Sequence, residues 1–225
     1  MNKFKLVIFS AFLAIFLSAC NNTQPQPYDY SAFLQSKPRS ILVLMPTNKT
    51  TEIDGSAAVL AHAVQPLSVA GYYVFPPALV NDTFKHNGIT EANDIHQISL
   101  SKIKQIFNPD AVLYINISEY GSSYALITAT TIVGMSAKLV DVDSGRTLWD
   151  GRAIVSDGGS GGGGGIVGML ISAVVSQIAN TISDKGYKLS ATADWALFGH
   201  NCNGCILLGP YANGYGQDKQ LNTAK

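Results

Sequence analysis

The chain contains few charged residues. Its 225 residues include 15 lysines and arginines and 15 aspartates and glutamates, and the charged fraction of 13% compares with about 25% in typical soluble domains. Such a balance gives no basic face of the kind that nucleic-acid-binding proteins present. We therefore expect no nucleic-acid partner and a surface that is polar but uncharged, or partly covered by another protein.

Patterns that carry catalysis are also scarce. His62, His86 and His96 are scattered, and no serine or pair of acids has the spacing of a catalytic group. A G-x-G-x-x-G string lies among the seven glycines of residues 158–165, but no Gly-Lys-Ser/Thr follows it, and Asp184 offers only a loose match to an acidic ribose ligand. We therefore interpret this segment as a loop before a helix and not as a nucleotide-binding loop. We expect no enzymatic activity, no cofactor and no metal ion.

No apolar run at the start of the chain reaches the roughly 20 residues that cross a bilayer. The run from Leu6 to Leu17 follows two lysines and ends in small residues, which is the layout of a secretory signal peptide over residues 1–19. The alternatives are a plain signal peptide without lipidation and a transmembrane helix that stays attached. The short length of the run and the polar residues directly behind it argue against a transmembrane helix.

Leu17-Ser18-Ala19-Cys20 resembles the bacterial lipobox. In precursors with this motif the cysteine thiol is acylated, and the cysteine becomes the amino terminus after cleavage, so the resemblance implies that Cys20 is the membrane anchor. Asn21 resembles the residue found in lipoproteins sorted to the outer membrane. Cleavage would leave 206 residues with a net charge of about −2, since Lys3 and Lys5 are removed.

Composition divides the mature chain into three parts. Residues 20–38 contain Gln-Pro-Gln-Pro and few apolar side chains, which predicts a lipidated cysteine followed by an extended tether whose tyrosines, Tyr28 and Tyr30, can dock on the domain. Residues 39–200 predict a single α/β domain, and residues 201–225 a tail rich in cysteine and glycine. The end of that tail, from Gln217 onwards, has no periodicity, and we expect no regular structure there.

The first half of the domain predicts parallel βαβ units. Ser40–Met45 and Ala111–Ile117 are apolar runs typical of buried strands, and Tyr72–Phe75 is a shorter one. Helical patterns separate them, with Pro66 expected to kink or shorten the first helix and Gly71 close to its end. Strand, helix, strand order predicts parallel pairing.

The second half predicts antiparallel hairpins. Residues 124–133, 136–142 and 147–155 are rich in threonine, isoleucine and valine, and Asp143-Ser144-Gly145 is a turn between the last two. The expected fold is therefore an α/β domain with a mixed sheet, parallel in its amino-terminal half and antiparallel in its carboxyl half, with helices packed on the sheet.

An apolar helix is predicted from Ile166 to Ile182, with Gly186 as its C-cap and a last helix at residues 190–198. Met169, Leu170 and Val174 lie in its apolar first half. Such a surface is buried in the domain or contacts another subunit. We expect a homo-oligomer with these residues at the interface.

Two further sites stand out. Thr47, Asn48 and Lys49 follow the carboxyl end of the first strand, where ligands bind in open α/β sheets, and are candidate ligand-binding residues. Cys202 and Cys205 remain after lipidation and suit a disulfide in an oxidising compartment. Free thiols are the alternative. A metal site with His200 is disfavoured because no fourth ligand is near.

The lipobox, the strand Pro38-Arg39-Ser40-Ile41-Leu42-Val43-Leu44-Met45-Pro46, the segment Ala70–Pro76 and the glycine-interrupted carboxyl half together resemble bacterial lipoproteins of the neisserial genome-derived antigen type. The resemblance implies a fold similar to the amino-terminal domain of TolB and an accessory role in envelope transport or secretion. The expected function is a non-enzymatic scaffold at the outer membrane, periplasm-facing or surface-exposed, with other envelope lipoproteins or transporter subunits as partners. The alternative is a periplasm-facing lipoprotein that binds a small ligand.

Overall fold

The computed structural model describes residues 27–125, 128–157, 182–200 and 202–222. The strands are β1 (Ser40–Val43), β2 (Thr47–Asn48), β3 (Tyr73–Val74), β4 (Ala111–Ala125), β5 (Thr128–Asp141) and β6 (Thr147–Ser156). The helices are α1 (Ser31–Ser36), α2 (Gly55–Val69), α3 (Pro77–His86), α4 (Ala92–Ile95), α5 (Leu100–Phe107), α6 (Ile182–Leu197) and α7 (Lys219–Asn222).

The described strands form one mixed sheet in the order β3-β1-β4-β5-β6, with β2 also paired to β4. Strand β1 runs parallel to both of its neighbours, with Ser40 opposite Tyr73 and Ile41 opposite Ala111. Strands β4, β5 and β6 are antiparallel. The predicted fold class, a mixed sheet that is parallel in one half and antiparallel in the other, is confirmed.

Helices cover both faces of β1, which explains its unbroken apolar sequence. Ile41 and Val43 point into the larger core, which α1, α2 and α6 close. Leu42 and Leu44 point into a second core closed by α3, α4 and α5. Successive side chains of a strand alternate between faces, so only a sheet covered on both sides buries every residue of the run.

The antiparallel half differs from the prediction in its strand bounds. The segments expected at residues 124–133 and 136–142 are not separate strands, because β5 continues through Gly134 and residue 124 belongs to β4. A bulge between Ile117 and Glu119 lets β4 stay paired with β5 well beyond its predicted end. The predicted turn is confirmed, with Gly145 at φ 69° between β5 and β6.

Gly186 lies inside α6 and is not a helix cap, so this prediction is wrong. A Cβ atom at this position would lie 3.0 Å from the ring of Tyr120 on β4. The glycine lets the helix approach the sheet closely, a use of glycine that a sequence does not distinguish from a helix end. The apolar segment expected at 166–181 lies outside the described residues.

Both ends of the described chain belong to the domain, in contrast to the predicted tether and unstructured tail. Tyr30 and Phe33, within the predicted tether, are buried in the larger core. The segment Ile206–Leu208 is buried as well, and the tail ends in α7. The two ends pack against each other on the domain, so a few apolar residues without periodicity suffice to fix them.

Candidate functional site

The predicted ligand-binding loop lies beyond the carboxyl end of β1, as expected, but its polar groups bond within the domain. The Thr47 hydroxyl donates a hydrogen bond to Asn116 Oδ1 (2.6 Å), and the Asn48 amide donates to the carbonyl of Glu52 (2.7 Å). The Lys49 backbone N–H donates to the Ile117 carbonyl (3.1 Å). The structure gives no observation that favours ligand binding by these residues.

Cys202 and Cys205 are joined in a disulfide, with Cα atoms 5.2 Å apart. The loop between them contacts the rest of the domain through its backbone. Trp149 Nε1 donates a hydrogen bond to the Gly204 carbonyl (2.8 Å), and the Tyr30 hydroxyl donates to the Cys205 carbonyl (2.6 Å). The disulfide loop thus holds the amino-terminal segment and β6 together.

The amino-terminal segment is fixed a second time at Tyr28. Its backbone N–H donates to Asn203 Oδ1 (3.2 Å), and its hydroxyl donates to Asp150 Oδ1 (3.0 Å). Burial is the main cause that raises the pKa of Tyr28 to about 12, and the neighbouring Asp150 carboxylate adds to it. Burial likewise raises the pKa of Tyr30 far above its ordinary value. Both phenols therefore stay protonated, and remain donors, at neutral and moderately alkaline pH.

These contacts form a clasp, which we define as Tyr28, Tyr30 and the loop from Cys202 to Cys205. The clasp fixes the chain where it enters the domain, eight residues after Cys20. Both halves of the clasp lie outside the predicted domain bounds, in the predicted tether and tail. The two tyrosines were expected to dock on the domain, but their contacts with the loop from Cys202 to Cys205 were not predicted; buried tyrosines pair an apolar ring with a hydrogen-bonding hydroxyl.

Next to the clasp, α1 and the carboxyl-terminal segment enclose a groove with a cavity of about 180 Å³. Its lining is mostly apolar and includes Phe33, Leu34, Leu207, Leu208, Tyr215 and Leu221. Lys37 and Asp218 are its charged members. Asp218 is buried and accepts a hydrogen bond from the Leu208 backbone N–H (2.9 Å), which fixes the turn that carries the groove's far wall.

The groove is open along one side. Leu34 on α1 and Tyr215 on the carboxyl-terminal segment are 45% and 43% exposed. Lys37, which lines the groove, is exposed, and so is Lys219, which directly follows the lining residue Asp218. We call this surface, with its apolar lining, the terminal groove. It was not predicted, because its two walls are more than 150 residues apart in sequence.

A buried acid lies on α6. The Asp194 side chain is fully buried, and neither of its carboxyl oxygens has a hydrogen-bond partner in the part of the chain that the structure describes. Burial disfavours the charged form and raises the pKa of Asp194 well above its ordinary value. The carboxyl group is therefore neutral in the folded domain at pH values where it would be ionised in water.

The remaining predicted site residues lie outside the described residues. These are the lipidation site Cys20 and the predicted interface residues Met169, Leu170 and Val174. Across residues 27–125, 128–157, 182–200 and 202–222, no group of three or more His, Cys, Asp or Glu side chains is placed to hold a metal ion. Within those same ranges no helix has the length and apolarity needed to cross a membrane.

Together, the fold and the clasp define an α/β domain of one mixed sheet, in which the first and last described segments pack against each other. The chain belongs to the family described as "Putative lipoprotein GNA1162-like", which matches residues 28–211. The expected resemblance to neisserial antigen-type lipoproteins is thereby confirmed, and the family indicates a membrane-anchored envelope protein.

Relatives agree with this assignment. "Putative lipoprotein NMB1124/NMB1162" of Neisseria meningitidis serogroup B (strain ATCC BAA-335 / MC58) is 45% identical over 206 residues, which cover 92% of this chain and 96% of the relative. The crystal structure of lipoprotein GNA1162 from Neisseria meningitidis is similar with 49% identity and a TM-score of 0.51, covering 53% of this chain and 83% of that chain.

A more distant structure is that of a PelC dodecamer from Paraburkholderia phytofirmans. It is 14% identical with a TM-score of 0.41, covering 76% of this chain and 92% of that chain. At this level of similarity its assembly says nothing about how the present chain assembles.

Proposed function

We propose that the chain is a lipid-anchored, non-enzymatic accessory or scaffold protein of an envelope transport or secretion assembly. In this proposal Cys20 carries the lipid, the domain is held at the outer membrane, and the chain works as a homo-oligomer together with other envelope proteins.

The observation that carries the proposal is the exposed surface of α6. Tyr187 is 48% exposed and Trp195 is 40% exposed on this helix, although large aromatic side chains favour burial. Tyrosine and tryptophan are enriched at the centres of protein interfaces, where they contribute large contact areas. A low charge content suits such a contact, because charged residues are depleted there. These features support a surface made for a protein partner.

The test is photo-crosslinking in intact cells. A photoreactive phenylalanine replaces Trp195 in the full chain, and the control replaces Ile106, which is 41% exposed on α5 over the opposite face of the sheet. Adducts are isolated through a carboxyl-terminal tag after membrane solubilisation and identified by mass spectrometry.

We expect discrete adducts at position 195 with another envelope lipoprotein, a transporter subunit or a second copy of the chain, and none at position 106. The same adducts at both positions would show nonspecific contact and contradict the proposal. Complete absence of adducts at position 195 in a chain that reaches the membrane would also contradict it.

A further inference from the structure

The terminal groove combines two kinds of chemistry on one surface. Its floor is apolar, from Phe33 and Leu207, and the half-exposed Leu34 and Tyr215 continue that character to the solvent. A tyrosine at such a boundary keeps its ring among apolar groups and its hydroxyl in water. This combination is the one that membrane interfaces select.

Two lysines add positive charge. Lys37 ends α1 in a left-handed conformation at φ 51°, with its backbone N–H bonded to the Phe33 carbonyl at 2.8 Å. Lys219 is exposed at the start of α7, directly after the lining residue Asp218, whose carboxylate accepts a hydrogen bond from the Leu208 backbone N–H. One exposed lysine in the lining and a second beside it in sequence complement anionic headgroups, and the apolar lining complements an acyl chain.

The length of the chain outside the domain limits where this surface lies. Cys20 is eight residues before Tyr28, where the clasp fixes the backbone, so the two are at most about 27 Å apart. The groove begins close to that point, since the Leu34 backbone N–H bonds to the Tyr30 carbonyl at 2.9 Å, one helical turn away. A lipid on Cys20 thus keeps the groove within reach of the bilayer surface.

We propose that the terminal groove is a membrane-docking surface that takes an acyl chain of an anionic phospholipid, with Lys37 and Lys219 contacting the headgroups. This inference rests on the proposed lipid anchor at Cys20. The anchor supplies proximity, and the groove sets the orientation, so that the clasp side of the domain faces the membrane and α5 and the second core face away.

The experiment uses the full lipidated chain, purified from membranes and reconstituted into vesicles of phosphatidylethanolamine and phosphatidylglycerol with brominated acyl chains. Tyr215→Trp places a fluorescent probe in the groove, and Ile106→Trp places one at similar exposure on the opposite face of the sheet. Both variants carry Trp195→Phe to remove an exposed native tryptophan. Vesicle flotation measures anchoring independently of fluorescence.

We expect bromolipids to quench the emission of the probe at position 215 and not that at position 106. Lys37→Glu with Lys219→Glu should reduce this quenching while flotation persists, since one lysine beside an anionic bilayer is worth about fivefold in binding. Replacing phosphatidylglycerol by phosphatidylcholine should have the same effect.

The other outcomes overturn the inference in distinguishable ways. Equal quenching at both positions, or none at either in a chain that floats, would show that the groove does not dock, and would leave the proposed function intact. A blue-shifted probe at position 215 that bromolipids do not quench would assign the groove to the acyl chain of the anchor itself. Failure to float would overturn both the docking surface and the proposed lipid-anchored function.

Discussion

Asp194 gives the sharpest test of the structure, because its carboxyl group is buried with no hydrogen-bond partner among the described residues. We consider the isosteric replacement Asp194→Asn, which keeps the shape of the side chain and removes its proton equilibrium. The absolute stability of the variant depends on how the new amide is accommodated, but the way its stability changes with pH does not. We therefore predict the slope of the free energy of unfolding against pH.

Burial raises the pKa of Asp194 in the folded state above its unfolded value of about 3.9. Between those two values the folded protein holds a proton that the unfolded chain has released, so raising the pH favours unfolding. The stabilisation is complete below the unfolded pKa and is lost as the pH rises towards the folded one. The slope is about 1.4 kcal/mol per pH unit in this window.

The native protein has this slope and Asp194→Asn lacks it. We therefore expect the free energy of unfolding of the variant, relative to that of the native protein, to rise by about 1.4 kcal/mol for each pH unit from about pH 5 up to the folded-state pKa of Asp194, and to level off above it. For a domain of this size that corresponds to about 3–6 °C in melting temperature per pH unit.

Urea unfolding of the full-length protein in detergent, followed by circular dichroism at pH 5, 6 and 7, measures the difference. Asp94→Asn, at an exposed position on α4, is the control. Because its side chain is exposed, this control reports the effect of an aspartate-to-asparagine replacement at the surface. A constant difference for Asp194→Asn would refute the reasoning and mean that Asp194 is ionised in the fold beside a compensating group.

Three further predictions concern the clasp and the packing of the carboxyl-terminal segment. Tyr30→Phe leaves the buried Cys205 carbonyl without its donor and should cost about 1–3 kcal/mol in urea unfolding; an unchanged midpoint would mean that the clasp contributes no stability. Gly71→Ala would place a Cβ atom 2.3 Å from a backbone nitrogen of the carboxyl-terminal segment, whereas Gly88→Ala meets nothing within 4 Å. Both glycines have positive φ, so the backbone strain is common to the two variants. The free energy of unfolding of Gly71→Ala should therefore fall by at least about 2 kcal/mol more than that of Gly88→Ala; an equal fall in both would contradict the close contact at Gly71. Thiol titration of the mature, denatured protein should find no free thiol before reduction and two after it, and reduction should cost about 2 kcal/mol from the four-residue loop that Cys202 closes; two thiols before reduction would exclude the disulfide.

The parallel half of the sheet could be predicted because its signals are local. The run from Ile41 to Leu44 is apolar at every position, so it had to be covered on both faces, and the helical pattern behind it predicts a parallel crossover. The turn at Gly145 could also be predicted, because its signal, Asp143-Ser144-Gly145 between two strand-like segments, lies in consecutive residues. The lipoprotein character, likewise, depends on a short motif around Cys20 and on a family resemblance, and the family is confirmed.

The bounds of β4 and β5 were not predictable from the same signals. The pairing of β4 with β5 continues past Gly121 and Gly134. In an isolated sequence a glycine indicates the end of a strand, but a long hairpin tolerates it because residues of the partner strand fill the space. Gly186 has the same ambiguity. Its role follows from Tyr120, a residue on a different element, so that only the packed structure distinguishes a close approach from a helix end.

The sequence by itself determined the fold class, the parallel core and the family, because each depends on residues that are neighbours along the chain. The tertiary structure decided where the domain begins and ends. Tyr30 could be expected to dock on the domain, but neither it nor the segment Ile206–Leu208 has the sequence neighbours that predict a core position. They become core residues only because the two ends of the described domain meet. The terminal groove exists for the same physical reason, since neither wall has a partner until folding supplies the other.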